Sequence, residues 1–126
     1  MLMSYIPDPT RRARIERSAA APHVDGLISE MIEAGYRRTT VQSYLRAAAH
    51  LSDWLRHRDQ LLSDLDLKAI EAFRDHLVGC SCAGFERNTQ RHVAGAKCFL
   101  QHLQTIGAVL PSGSPAARQP LLYTQF

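Results

Sequence analysis

An all-α fold, built as a four-helix bundle, is what this sequence predicts. Three observations predict it. Four segments repeat apolar residues at spacings of three and four. Each is bounded by a glycine or by a residue type that caps helices. No segment alternates apolar and polar residues in the manner of a half-buried strand.

Residues 1–21 open with a proline-flanked stretch and continue as Arg11-Arg12-Ala13-Arg14-Ile15-Glu16-Arg17. Apolar anchors are few, so this segment reads as a basic N-terminal arm with some helix. The helical domain follows over 22–107. In its first helix, near Val24–Ala34, the residues Val24, Leu27, Ile28, Met31 and Ile32 share a face, and Gly35 is the stop. The second helix is expected over Thr40–His57. Thr39 and Gln42 fit a capping box, and Val41, Leu45, Ala48, Leu51 and Leu55 form the buried stripe, flanked by Tyr44 and Trp54. Asp66 caps the third, Leu67–Val78, which buries Leu67, Ile70, Phe73 and Leu77 and ends at Gly79. A loop runs from Cys80 to Arg87. The fourth helix, Thr89–Ile106, carries Val93, Ala96, Phe99, Leu100, Leu103 and Ile106 on one face and stops at Gly107. Residues 108–126 have the composition of an extended C-terminal linker, and Leu121-Leu122-Tyr123-Thr124-Gln125-Phe126 reads as the start of a missing following domain.

With 126 residues, the chain has room for one domain of ordinary size. Apolar residues make up 45%, enough for a core and against wholesale disorder. The net charge of +3 is mildly basic, and the bases are nearly all arginine, with lysine only at Lys68 and Lys97. Arginine suits bidentate phosphate contact. No apolar run approaches the roughly 20 residues of a membrane span, and the first residues lack the apolar stretch of a signal peptide. A cytoplasmic location and no membrane partner are expected. Three cysteines, an odd number, argue against a secreted disulfide framework.

The richest stretch runs from Tyr36 to Arg58. It opens Tyr36-Arg37-Arg38-Thr39-Thr40-Val41-Gln42-Ser43-Tyr44 and continues as an Ala-rich helix with Trp54-Leu55. Backbone amides, hydroxyls and guanidinium groups at one helix start suit phosphate. Arg87, Asn88, Thr89 and Arg91 make a second basic helix start. Charge is also divided along the chain. Residues 36–58 carry five arginines (37, 38, 46, 56, 58) and one acid, Asp53, whereas 59–75 carry five acids (59, 64, 66, 71, 75) and two bases, Lys68 and Arg74.

These residues resemble the N-terminal core-binding (SAM-like) domain of tyrosine recombinases, the phage-integrase family. Tyr36, Thr40, Tyr44 and Trp54-Leu55 match its first junction and long helix. Leu67, Ile70 and Phe73 match its third helix. Asn88-Thr89-Gln90-Arg91 with Val93, Phe99, Leu100 and Leu103 matches its fourth. The resemblance spans roughly Val24 to Gly107. It implies a SAM-like bundle that grips double-stranded DNA for integration or recombination, with Arg37, Arg38, Thr39, Thr40, Tyr44, Arg87, Asn88, Thr89 and Arg91 at the DNA. It also implies a missing C-terminal catalytic domain and other recombinase protomers as partners. The family's catalytic His-x-x-Arg is absent: His23, His50, His57, His76, His92 and His102 all lack Arg at the third following position. Tyr123 has no phosphate cradle behind it. The expectation is therefore a chain that binds DNA without catalysing alone, as a fragment, a truncated product or a stand-alone accessory protein. No catalytic residue, cofactor or metal ligand is assigned.

Two other readings stand beside this one. A helical protein-interaction bundle would need no nucleic acid. A small zinc-stabilised bundle would use His76, Cys80 and Cys82, with His92 or Cys98 as a fourth ligand, a set that tetrahedral zinc accepts. Against zinc, Cys80-x-Cys82 is tighter than the usual spacing and no second pair repeats it.

Overall fold

The structure, a computed structural model, describes residues 2–80 and 89–109. It is all-α, as expected, but the four-helix count is wrong. Six α-helices occur among the described residues: α1 (Leu2–Tyr5), α2 (Pro9–Glu16), α3 (Val24–Glu33), α4 (Arg38–His57), α5 (Leu67–Gly79) and α6 (Thr89–Thr105). Short 3₁₀ turns at Ala21–His23 and Leu62–Asp64 join them. No helix among the described residues is long and apolar enough to cross a membrane.

The two additional helices lie in the segment expected as a basic arm. Asp8 caps α2, its carboxylate accepting from the Arg11 amide at 2.8 Å, and Pro9 takes the first helical position. Ile6 and Ile15 are 3% and 2% exposed, so each sinks into the shared core. The Arg12 guanidinium donates back to the carbonyls of Ile6 and Pro7. Ile15 among the arginines of α2, and Ile6 just after α1, give almost no periodic signal, yet each is a buried anchor for its segment.

The four longer helices fall close to their expected ranges. Val24, Leu27, Ile28 and Met31 are buried on α3; Val41, Leu45, Ala48, Leu51 and Leu55 on α4; Ile70 and Phe73 on α5; Val93, Ala96, Phe99, Leu100 and Leu103 on α6. Ile32, Leu67 and Ile106, each expected inside, sit at helix ends and are about half exposed. Asp66 caps α5 as expected, accepting from the Ala69 amide at 2.9 Å. The expected capping box at Thr39 and Gln42 does not form. Arg37 holds the N-cap position, Thr39 lies inside the first turn, and the Gln42 amide donates to the carbonyl of Tyr5 at 2.7 Å.

The ends of α3, α4 and α6 share one device. Gly35 and Gly107 adopt φ of 83° and 80°, the left-handed conformation a side chain resists. The next amide then folds back, Tyr36 to the Met31 carbonyl and Ala108 to the Leu103 carbonyl. Asp59, at φ 57°, does the same for α4, with the Gln60 amide on the Leu55 carbonyl.

The α4–α6 seam organises the molecule, and the two helices run antiparallel across it. His50 meets His92, while Tyr44 and Ala47 lie against Gly95, so numbers fall along one helix as they rise along the other. A Cβ at Gly95 would lie 2.8 Å from the Ala47 Cβ and 3.1 Å from the Tyr44 Cα. The absence of that carbon lets the backbones approach. The α5 backbone lies chiefly along α6, while its Phe73 and His76 rings meet His50 and Trp54 of α4.

Candidate metal centre

Polar residues on a buried stripe mark the place where chemistry is concentrated. His50 falls on the α4 stripe among Ala47, Ala48, Ala49 and Leu51 and is 2% exposed. From α5 come His76, in the last turn, and Cys80, the residue that caps its end; both are half-buried. One donor atom from each of His50, His76 and Cys80 lies within 4.8 Å of the other two. The Cys80 sulfur stands 3.9 Å from Nε2 of His50. The two α5 residues meet because i and i+4 positions lie one above the other on a helix.

Aromatic rings enclose the cluster. Phe73 stacks on His76 at 6.0 Å and 19° and meets His50 edge-on at 5.2 Å. The Trp54 ring centre is 5.9 Å from that of His76, and the Arg58 guanidinium covers Trp54 at 4.7 Å. Behind His50, its Nδ1 lies 2.9 Å from Nε2 of His92, which is fully buried on α6.

These surroundings set the protonation of the donors. Burial first, then the neighbouring His92 and His76, push the His50 pKa down to about 3. Burial also lowers that of His76. Both imidazoles are therefore neutral at neutral pH, the form that binds metal. Two neutral nitrogens and one sulfur make a borderline-soft donor set, suited to zinc and its neighbours and poorly suited to calcium or magnesium. In a tetrahedral zinc site the donors stand about 3.3–3.7 Å apart, from Zn–N and Zn–S bonds of about 2.0 and 2.3 Å. The observed spread needs a closure of about 1 Å, within the reach of side-chain rotation.

Sequence reasoning anticipated His76 and Cys80 as ligands in its zinc alternative and missed His50. The signal was present: a histidine falls in the α4 stripe where an apolar residue is expected. His92, named there as a fourth ligand, touches the cluster through His50. Cys98 does not reach it. It lies six residues further along α6, roughly 9 Å, in a recess with Glu30, Met31, Tyr36 and Gln101. Burial and then Glu30 push its thiol pKa up, opposed by a hydrogen bond with Tyr36. Cys82 lies outside the described residues.

The residues expected at DNA are dispersed. Arg87 and Asn88 lie outside the described residues. Arg37, Arg38 and Thr39 are exposed at the start of α4, and Thr40 is half-buried. The Arg38 guanidinium donates to the Ser4 carbonyl and lies over the Tyr5 ring at 5.2 Å. Tyr44 is half-buried and meets Tyr36 edge-on at 5.8 Å. Thr89 begins α6 and lines a shallow groove with Arg74 and Lys97. Because α4 and α6 are antiparallel, the two basic helix starts lie at opposite ends of the seam, roughly 20 Å apart. Arg91 follows two residues after Thr89 on α6. Its charge acts on the Tyr44 hydroxyl, opposing a pKa rise caused by burial and by Tyr36 and Cys98.

No protein-family model matches this chain, and neither a curated protein nor a solved structure does.

Proposed function

We propose that this protein is a metal-binding helical bundle in which zinc, or a similarly borderline-soft divalent ion, is held by His50, His76 and Cys80. The convergence of their three donor atoms within 4.8 Å carries this reading. The ion's work is structural. The backbones of α4 and α5 each approach α6 more closely than one another, and α4 meets α5 through the rings of His50, Trp54, Phe73 and His76. A metal bound by His50 of α4, His76 of α5 and Cys80 at the end of α5 would add a further tie between those helices. Binding energy of that kind is folding energy when the unfolded chain has no preformed site.

The test is metal content and its loss. Protein purified without chelator should carry about one zinc per chain by elemental analysis, and Cys80→Ser or His76→Ala should abolish it. With cobalt in place of zinc, a sulfur-to-metal charge-transfer band should be present in the native protein and absent from Cys80→Ser. Native protein that takes up neither ion, or a Cys80→Ser variant that retains both, sinks the reading.

A second reading is a grip on double-stranded DNA in the manner of the core-binding domain that the sequence resembles; it rests on the exposed Arg37 at the start of α4 and on Arg91, whose charge acts on Tyr44. Here the expected outcome is weak, salt-sensitive binding to duplexes of any sequence, read by fluorescence anisotropy, with Arg91→Ala reducing the log–log salt slope by about one. A native protein with no salt-dependent binding removes it.

A further inference from the structure

The further inference rests on the metal reading and concerns how His50 becomes a ligand. We propose that His92 is the positioning residue of the centre. Its Nε2 accepts the proton of His50 Nδ1, its own ring proton then residing on its buried Nδ1, and it thereby presents His50 Nε2 to the ion. The two ring nitrogens of His50 face opposite neighbours. Nε2 faces the Cys80 sulfur at 3.9 Å, and Nδ1 faces His92 at 2.9 Å. A metal occupies the Nε2 lone pair, so the single ring proton must then sit on Nδ1. His50 is 2% exposed, and a buried N–H of this kind requires an acceptor inside the protein. His92 supplies it from the first turns of α6.

The position of His92 is itself fixed. It is fully buried, and its ring lies nearly parallel to that of Phe73, 6.1 Å away at 28°. Phe73 also touches His50 and His76, so one aromatic ring sets both the ligands and the residue behind them. An Nε2 engaged by His50 does not offer the same lone pair to the metal. The fourth-ligand role that the sequence suggested for His92 thus becomes an outer role, in which it holds a ligand rather than the ion. Such outer partners fix a histidine's orientation and raise its basicity. The arrangement also brings α6 into a site whose ligands come from α4 and α5.

The experiment compares zinc affinity of the native chain, His92→Leu, His92→Gln and His76→Ala, by competition with a chromophoric chelator. His92→Leu removes the acceptor and should weaken binding about 10–100-fold. His92→Gln keeps an acceptor oxygen and should recover most of that loss. In the zinc-loaded native protein, long-range ¹H–¹⁵N correlation should place the His50 proton on Nδ1, a signature that packing alone would not produce. Native affinity in a folded His92→Leu variant overturns the inference. So does a proton on Nε2, or a His92→Gln loss as deep as that of His92→Leu, which would make His92 a direct ligand. If His92→Leu does not fold, the glutamine variant and the native spectrum decide. A native protein that binds no zinc overturns the metal reading and this inference together. Zinc lost in His76→Ala but unchanged in His92→Leu overturns this inference alone.

Discussion

The two ends of the α4–α6 seam hold similar amounts of polar chemistry and use it differently. At the end near His50, the side chains are buried or half-buried and convergent, with three donor atoms sharing one small volume. At the end near Arg38, the side chains are charged, largely exposed and spread out. Arg38 is engaged by the Ser4 carbonyl and the Tyr5 ring, and Gln42 by the Tyr5 carbonyl. Residue type alone would favour the arginine end as the functional one. Convergence favours the other. Desolvation explains the difference: a buried polar group is costly unless its neighbours satisfy it. An exposed arginine carries no such constraint, and its position says little about use.

The largest expected effect separates the ends through packing. Phe73 is fully buried and touches His50, His76, Trp54 and His92. Phe73→Ala should cost about 3–5 kcal/mol in urea unfolding, and it should weaken zinc binding because both imidazoles lose their backing ring. Full zinc affinity in a folded Phe73→Ala protein would mean that the cluster is positioned by something else. Gly95→Ala tests the middle of the seam. The added methyl meets Ala47 at 2.8 Å and the Tyr44 backbone at 3.1 Å, so the helices must separate, at about 1–3 kcal/mol. A neutral thermal shift would mean that the seam yields where the close approach says it cannot.

Acid should act on the histidine end first. The pKa of His50 falls from its ordinary 6.5 to about 3 in the folded protein. The unfolded chain therefore binds the proton more readily between those values, and stability rises with pH across that window. In metal-free protein the contribution is fully present above pH 6.5 and is lost progressively as the pH falls towards 3. Urea midpoints measured along that range should decline in the native chain and decline less in His50→Phe. Parallel declines would show that His50 is not the group responsible.

Much of the fold was legible in the sequence because the four longer helices carry full apolar stripes. Val41, Leu45, Leu51 and Leu55 repeat often enough to define a face without tertiary context. The N-terminal segment was expected to hold some helix, but α1 and α2 were not delimited for the opposite reason, since Ile6 and Ile15 are single anchors whose burial depends on what they dock against. The Thr39 capping box failed because Gln42 found a tertiary partner in Tyr5, and local pattern cannot weigh that competition. The site was half legible. His76 and Cys80 are close in sequence and were paired on that basis. His50 lies 26 positions before His76, and nothing local joins them. Only the antiparallel seam, with α5 leaning on α6, brings α4's histidine to α5's end. A histidine on an otherwise apolar stripe was the one available clue.

The smallest effect returns to the arginine end and asks whether adjacent arginines are equivalent. Arg37 is the N-cap residue of α4 and exposed, whereas Arg38 ties that helix to α1 through the Ser4 carbonyl and the Tyr5 ring. An exposed cation–π contact contributes about 0.5–1 kcal/mol, so Arg38→Ala should lower stability by about that amount. Arg37→Ala should stay within about 0.5 kcal/mol of native, as surface substitutions usually do. Hydrogen exchange sharpens the contrast, because amides around Ile6 should exchange faster in Arg38→Ala and at native rates in Arg37→Ala. DNA binding, if present, should show the reverse order. A side chain already committed to α1 must leave its partners before it can meet a phosphate, and Arg37 has no such contact to break. Greater loss of duplex affinity in Arg38→Ala than in Arg37→Ala would mean that the contact with α1 is given up on binding.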